Sequence, residues 1–244
     1  MDRWAISFIL AGTILCTAGC QGRSPSQSVS GPESQTAAPA QVLDAQSSVP
    51  AAANGKADSS DKRPVVVCFG DSLTAGHGAD LGASYPDFLQ KDLDRDGYHV
   101  HVINEGISGN TTKDGVDRLA EVIALKPQVV VLEFGGNDGL RGLNLQNTRA
   151  NLATMLQGLR DAHIKVVIAG MTLPPDYGAD YVSRFTSNYA SLGKQFHQPV
   201  LPFLLANVYG VPGMMQEDRT HATEKGNAMV ARNVLPYVEK LLKK

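Results

Sequence analysis

Cysteine is scarce in this chain. Three occur in 244 residues, at positions 16, 20 and 68. Two lie in the first twenty residues, so the remainder holds one thiol and no internal disulfide framework. Cys68 sits in an apolar run and reads as a small buried filler. A strong charge of either sign is also missing: 22 Lys and Arg stand against 24 Asp and Glu, a net charge of −2. No long basic run is present, which excludes nucleic acid as an expected partner. Neither a Walker motif nor a Gly-x-Gly-x-x-Gly opening a helix after a strand appears, so a nucleotide-cradling loop is excluded. His99 and His101 alternate along one apolar run without a third ligand nearby, and are expected on a half-exposed strand face. His77, His163 and His197 read as surface or cap residues. No metal and no cofactor are expected.

A long hydrophobic run is the last absentee. The most apolar stretch, WAISFILAGTILCTAGC, is too short and too interrupted by Gly and Thr for a comfortable membrane span. It has the length of a signal-peptide core, behind Met1-Asp2-Arg3 with its small positive balance. It ends Thr17-Ala18-Gly19-Cys20, which resembles a bacterial lipobox with Thr17 where Leu is usual. Cys20 is therefore the expected lipidation site, and Gln21 rather than Asp after it implies, by resemblance to such lipoproteins, outer-membrane rather than inner-membrane retention. A signal peptide cut without lipidation is the alternative. Residues 21–63 are rich in Ser, Ala, Gln and Pro and lack any aromatic residue. Such a segment buries too little apolar surface to offset its ordering entropy and is expected to be a disordered tether. The expected location is thus the periplasm or outer membrane of a bacterium, with a lipid anchor as the contact to the membrane.

What is present begins at residue 64. Hydrophobic residues make up 43% of the chain, enough for one domain with a sizeable core. Buried strands are expected at VVVCF (65–69), HVHVIN (99–104), QVVVLEF (128–134), KVVIAG (165–170) and PVLPFL (199–204). Helical stripes alternate with them. Val116, Leu119, Ala120 and Ile123 recur at i, i+3, i+4, i+7, as do Leu152, Met155, Leu156 and Leu159. Asn110, Thr111 and Thr112 offer N-caps to the first stripe, and a last helix is expected from about 223 to 242. Strand and helix in alternation predict an α/β fold: a three-layer α/β/α sandwich with a five-stranded parallel sheet, flavodoxin-like in layering. Ligands of such sheets bind beyond the carboxyl ends of the strands.

Those ends carry the chemistry. The first strand runs into Gly70-Asp71-Ser72-Leu73. The second runs into Asn104-Glu105-Gly106-Ile107-Ser108-Gly109-Asn110, and the third into Gly135-Gly136-Asn137-Asp138-Gly139. Asp218-Arg219-Thr220-His221 precedes the last helix. A serine hydroxyl needs a base to become a nucleophile. His221 has an acid, Asp218, three residues earlier, placed to fix its tautomer. The serine turn is Gly-x-Ser-x-x-x-Gly, not the Gly-x-Ser-x-Gly of the α/β-hydrolase elbow. Asp71 and Asp138 are expected only to bond their own turns.

In this order the four blocks resemble the SGNH/GDSL hydrolases, named for one Ser, Gly, Asn and His from each. The resemblance spans Val65 to about Tyr237. LEFGGNDGLRG (132–142) and LPPDYGADY (173–181) resemble its subgroup of periplasmic multifunctional thioesterase, protease and lysophospholipase enzymes. Ala222 departs from the Pro that usually follows the histidine, and the long tether and lipobox depart from the subgroup. The resemblance implies a catalytic set of Ser72, Asp218 and His221, and an oxyanion hole formed by the Ser72 and Gly109 backbone N–H groups and the Asn137 side-chain amide. Glycine lets an N–H approach a ligand closely, and an amide donates without carrying charge.

Leu140, Leu143, Leu173, Met214 and Met215 lie in loops near these blocks and are candidates for an apolar acyl groove, or for plain packing. The expected function is a serine esterase that hydrolyses short-to-medium carboxylic esters or thioesters through an acyl-enzyme, acting as a monomer on small ester or lipid substrates. A carbohydrate acetylesterase on the same fold is the nearer alternative. A surface lipoprotein that binds an envelope component without turnover is the more distant one.

Overall fold

A computed structural model of the chain describes residues 61–242. The expected signal segment, Cys20 and residues 21–60 of the expected tether lie outside the described residues. The last residues of that tether join the domain. Arg63 pairs with Asp61 and donates to the Val100 carbonyl at 3.1 Å.

Five parallel strands form one sheet: β1 (Val65–Gly70), β2 (His101–Gly106), β3 (Val129–Glu133), β4 (Lys165–Ala169) and β5 (Val200–Leu201). Their order is β2-β1-β3-β4-β5. The register sets Val66 between Val102 and Val129, and Cys68 between Asn104 and Val131. The β-branched runs of β1, β3 and β4 are buried on both faces because helices cover both. On one face α2 (Tyr85–Arg95) packs against α8 (Glu224–Leu241). On the other lie α3 (Thr112–Asp117), α6 (Leu145–Asp161) and α7 (Ala179–Phe196). The α6 stripe Leu152, Met155, Leu156, Leu159 is buried as its spacing predicts. Cys68 is fully buried, and that burial pushes its thiol up to about 12, which makes it inert packing. Among the described residues no helix is long and apolar enough to cross a membrane.

Three expectations are corrected. The second strand starts at His101, so His99 lies outside it; His101 instead faces Arg63 at 3.1 Å. The fifth strand is only two residues long. Pro202 follows it without an N–H to continue a ladder, which ends the pairing. The helix expected through Val116 and Ile123 is two helices, α3 and α4 (Leu119–Ala124), broken at Arg118 with φ −106° and ψ 11°. The cause lies in the Arg118 side chain. Its guanidinium donates to the carbonyls of Gly70 and Glu105, at 2.9 and 3.0 Å, and to Asn110 Oδ1 at 2.8 Å. It also lies over the Phe69 ring. Arg118 thus ties the carboxyl ends of β1 and β2 to the loop that follows β2.

Candidate active site

The strand order reverses between β1 and β3: the chain leaves β1 toward β2 on one side and continues to β3 on the other. A crevice opens at such a switch point beyond the strand ends. Ser72 follows β1 and Asn137 follows β3, so the topology sets both at that crevice.

After β1 the chain turns at once into α1 (Ser72–Ala75), a single helical turn. Asp71 caps it, Oδ1 accepting from the Leu73 N–H at 3.0 Å. Gly76 closes it with φ +77°, in the left-handed region, where a Cβ would also lie 2.5 Å from that of Ser84. The turn is tight because Gly70 lets Glu133 and Thr74 approach: a Cβ there would come within 2.1 Å of Thr74 Oγ1. Ser72 stands at the head of this turn.

His221 reaches Ser72 from the loop before α8. Its Nε2 lies 2.8 Å from Ser72 Oγ, and its Nδ1 lies 2.6 Å from Asp218 Oδ2. Asp218 Oδ1 accepts the Thr220 and His221 N–H groups at 2.9 and 3.0 Å. Partial burial acts to raise the Asp218 carboxyl. The hydrogen bonds from the His221 ring, the His221 N–H and the Thr220 N–H outweigh it and hold the carboxyl at about 2. The stabilisation from this carboxylate is present above the unfolded carboxyl range, about 3.9, and is lost only as pH falls through about 2. Ala222 stands where a proline stiffens the family's histidine loop, and here hydrogen bonds do that work. Gln216 N donates to the His221 carbonyl, and Thr223 N to the Met214 carbonyl. Gln216 Nε2 donates to the carbonyls of His77 and Ala222, at 2.7 and 2.9 Å, which ties the histidine loop to the loop after Ser72.

Asn137 belongs to α5 (Gly136–Leu140). Its Nδ2 donates to the Asn110 carbonyl at 2.9 Å and to Asp71 Oδ2 at 3.2 Å. Arg141 fixes the other side of this strip, its Nη2 donating to the Gly109 carbonyl and to Asn137 Oδ1. Gly109 has φ +83°, a conformation that favours glycine. Among the described residues the Ser72 and Gly109 N–H groups have no protein acceptor.

Behind Ser72 lies a pair of acids that the sequence does not announce. Glu133, the last residue of β3, is fully buried; its Oε2 accepts the Asp71 N–H at 3.1 Å and the Thr74 hydroxyl at 2.8 Å. Burial, joined by the adjacent Asp71 charge, pushes Glu133 well above the carboxylate range. Burial likewise raises Asp71, to about 6, against the hydrogen bonds that it accepts. Asp71 therefore does more than bond its own turn: it links Glu133 to Asn137. Asp138 also reaches beyond its turn, accepting from the Thr112 N–H at 2.9 Å and from the hydroxyls of Thr112 and Thr148.

Ser72, Gly109, Asn137 and His221 line one pocket of about 290 Å³. Leu73, Leu140, Met171, Leu173, Phe203 and Leu205 make its walls largely apolar. Of the five groove candidates, Leu140 and Leu173 line this pocket and three do not. Leu143 lines a separate cleft with Tyr181 and Arg184. Met214 and Met215 are partly buried against the core, where Met215 bridges to Ala222 and holds the histidine loop. His77 is exposed, as expected, and also lines the pocket with its ring 4.4 Å from that of His221. His163 and His197 are cap residues as expected, both in the left-handed region just after helix ends. Among the described residues no cluster of His, Cys, Asp and Glu is placed to hold a metal ion.

Comparison with known proteins agrees with this layout. The GDSL-like Lipase/Acylhydrolase family profile matches residues 68–229. Esterase TesA of Pseudomonas aeruginosa is 40% identical over 178 residues, 72% of this chain and 89% of that protein. The thioesterase 1/protease 1/lysophospholipase L1 of Escherichia coli is 35% identical over 167 residues, 68% of this chain and 79% of that protein. The crystal structure of TesA aligns with a TM-score of 0.71 at 39% identity, covering 73% of this chain and 99% of the other. These matches identify an ester-hydrolysing enzyme, and the chain belongs to the GDSL-like lipase/acylhydrolase family.

Proposed function

We propose that the chain is a serine esterase that transfers an acyl group to water in two steps, with short-to-medium carboxylic esters or thioesters as substrates. The observation that carries this reading is the unbroken path Ser72 Oγ, His221 Nε2, His221 Nδ1, Asp218 Oδ2, with contacts of 2.8 and 2.6 Å. The Asp218 carboxylate accepts from Nδ1–H, which leaves the Nε2 lone pair for the Ser72 proton. Ser72 Oγ attacks the carbonyl carbon and its proton passes to Nε2. The negative charge on the former carbonyl oxygen falls to the N–H groups of Ser72 and Gly109 and to the Asn137 amide. The bond to the leaving oxygen or sulfur then breaks, and the leaving group takes the proton from Nε2. A water molecule repeats the sequence, its proton passing through His221 back to Ser72, and the carboxylic acid departs.

The apolar walls favour an acyl chain over a sugar ring. Turnover of p-nitrophenyl esters is expected to rise from acetyl to a medium chain and to exceed turnover of acetylated oligosaccharides. The reverse order would favour the carbohydrate acetylesterase. We also infer export and lipid anchoring at Cys20, supported by the apolar segment that ends there. Cells fed labelled palmitate should label the protein, and Cys20→Ser should lose the label; a label that survives this substitution overturns the anchor.

A further inference from the structure

The pocket is nearly free of charge. Asp71 is buried at its floor and Arg219 is exposed at its edge; every other lining residue is neutral or a histidine. Among the described residues the Arg219 guanidinium has no carboxylate partner and donates no hydrogen bond. The carboxylate before it in the chain, Asp218, is engaged by His221 and Thr220. The other arginine near this edge, Arg141, is committed to Gly109 and Asn137. Arg219 also holds φ +56°, a left-handed conformation that a side chain with a Cβ disfavours. This turn lets Asp218 accept both following N–H groups, and glycine would make it more easily.

The position of Arg219 relative to the reaction is fixed by its neighbour. His221, two residues on, hands its proton to the departing oxygen or sulfur, so the 218–221 loop borders the leaving group, while Leu140 and Leu173 line the apolar wall. We infer that Arg219 is a specificity-determining residue that selects esters and thioesters whose alcohol or thiol half carries a negative charge, a phosphate above all. A guanidinium meets phosphate oxygens with charge-assisted, bidentate hydrogen bonds. This inference rests on the serine esterase reading and deepens it.

The test compares two substrates that differ only in the charged group, 1-octanoylglycerol 3-phosphate and 1-octanoylglycerol, with p-nitrophenyl octanoate as a control. The wild type is expected to show the higher kcat/KM on the phosphate ester, and the preference should shrink as salt is raised. Arg219→Gly relieves the backbone and removes the charge. It should lower the phosphate-to-neutral ratio about tenfold, mainly through KM. Arg219→Glu should lower it further, and Arg219→Lys should retain part of it. A wild type that hydrolyses the control but disfavours or ignores the phosphate ester overturns the inference, as does a ratio unchanged in Arg219→Gly and Arg219→Glu. A protein inactive on the control as well refutes the esterase reading itself, and the inference with it.

Discussion

Asp218→Asn should lower kcat/KM on p-nitrophenyl esters by roughly 10³–10⁴, with the fold intact. The reason is a proton position. The Asp218 carboxylate, held at about 2 against the pull of burial, is a pure acceptor and keeps the Nδ1 proton between itself and the ring. An asparagine amide turned toward Nδ1 donates instead, which moves the imidazole proton to Nε2. There it faces Ser72 Oγ, 2.8 Å away, and the base is gone. The substitution leaves the acyl pocket in place, so KM should change little and kcat should carry the loss. Steady-state kinetics beside a circular-dichroism melt checks this. A loss under tenfold in a folded variant would remove Asp218 from the role assigned to it.

Asn137→Ala should be the next largest loss, about 10²–10³ in kcat. Its amide is the only side-chain donor in the proposed oxyanion hole. Arg141 holds its oxygen, and its two N–H groups rest on Asn110 at 2.9 Å and on Asp71 at 3.2 Å, so the longer of these, to Asp71, is the one to be exchanged for the oxyanion. The variant removes a donor from the transition state and leaves Ser72 and His221 in contact. Reaction with a fluorophosphonate should slow with it, since that adduct carries an oxygen in the same hole. Asp71→Asn, one step behind, separates catalysis from stability. Burial raises the Asp71 carboxyl from 3.8 to about 6, so the folded state bears the cost of a buried charge above pH 6 and sheds it as pH falls toward the unfolded value. Asparagine removes that charge. The variant should be slower, and its stability relative to wild type should improve by about 1–3 kcal/mol between pH 4 and pH 8, on top of a constant loss from the acceptor that the amide cannot offer Asn137. Melts at the two pH values decide it, and a stability difference that does not change between them contradicts the burial cost.

The fold and much of the site were legible in the sequence because a parallel sheet gives position a meaning. Three glycine-bearing blocks after strands and an Asp-x-x-His before a helix had to fall on one edge, and the resemblance to a known family read the same residues together. What was not legible depends on contacts distant in the chain. Glu133 closes an apolar run that reads only as a strand, yet its carboxyl reaches Asp71 and Thr74, about sixty residues back. His77 carries no local pattern, and only the closure of the histidine loop, tied by Gln216, lays it on His221. Arg118 falls inside a regular helical stripe, and the break there follows from three tertiary acceptors that periodicity does not register. Met214 and Met215 are candidates for the groove by nearness in sequence, but the Met215 bridge to Ala222 belongs to the loop that carries His221.

The most direct measurement is the site of covalent labelling by a fluorophosphonate, read by intact mass and peptide mapping of wild type and Ser72→Ala. One adduct per molecule, located on Ser72 and absent from the variant, is the expected result. A wild type that takes up no label, or one labelled equally after the substitution, would contradict the nucleophile on which the account depends.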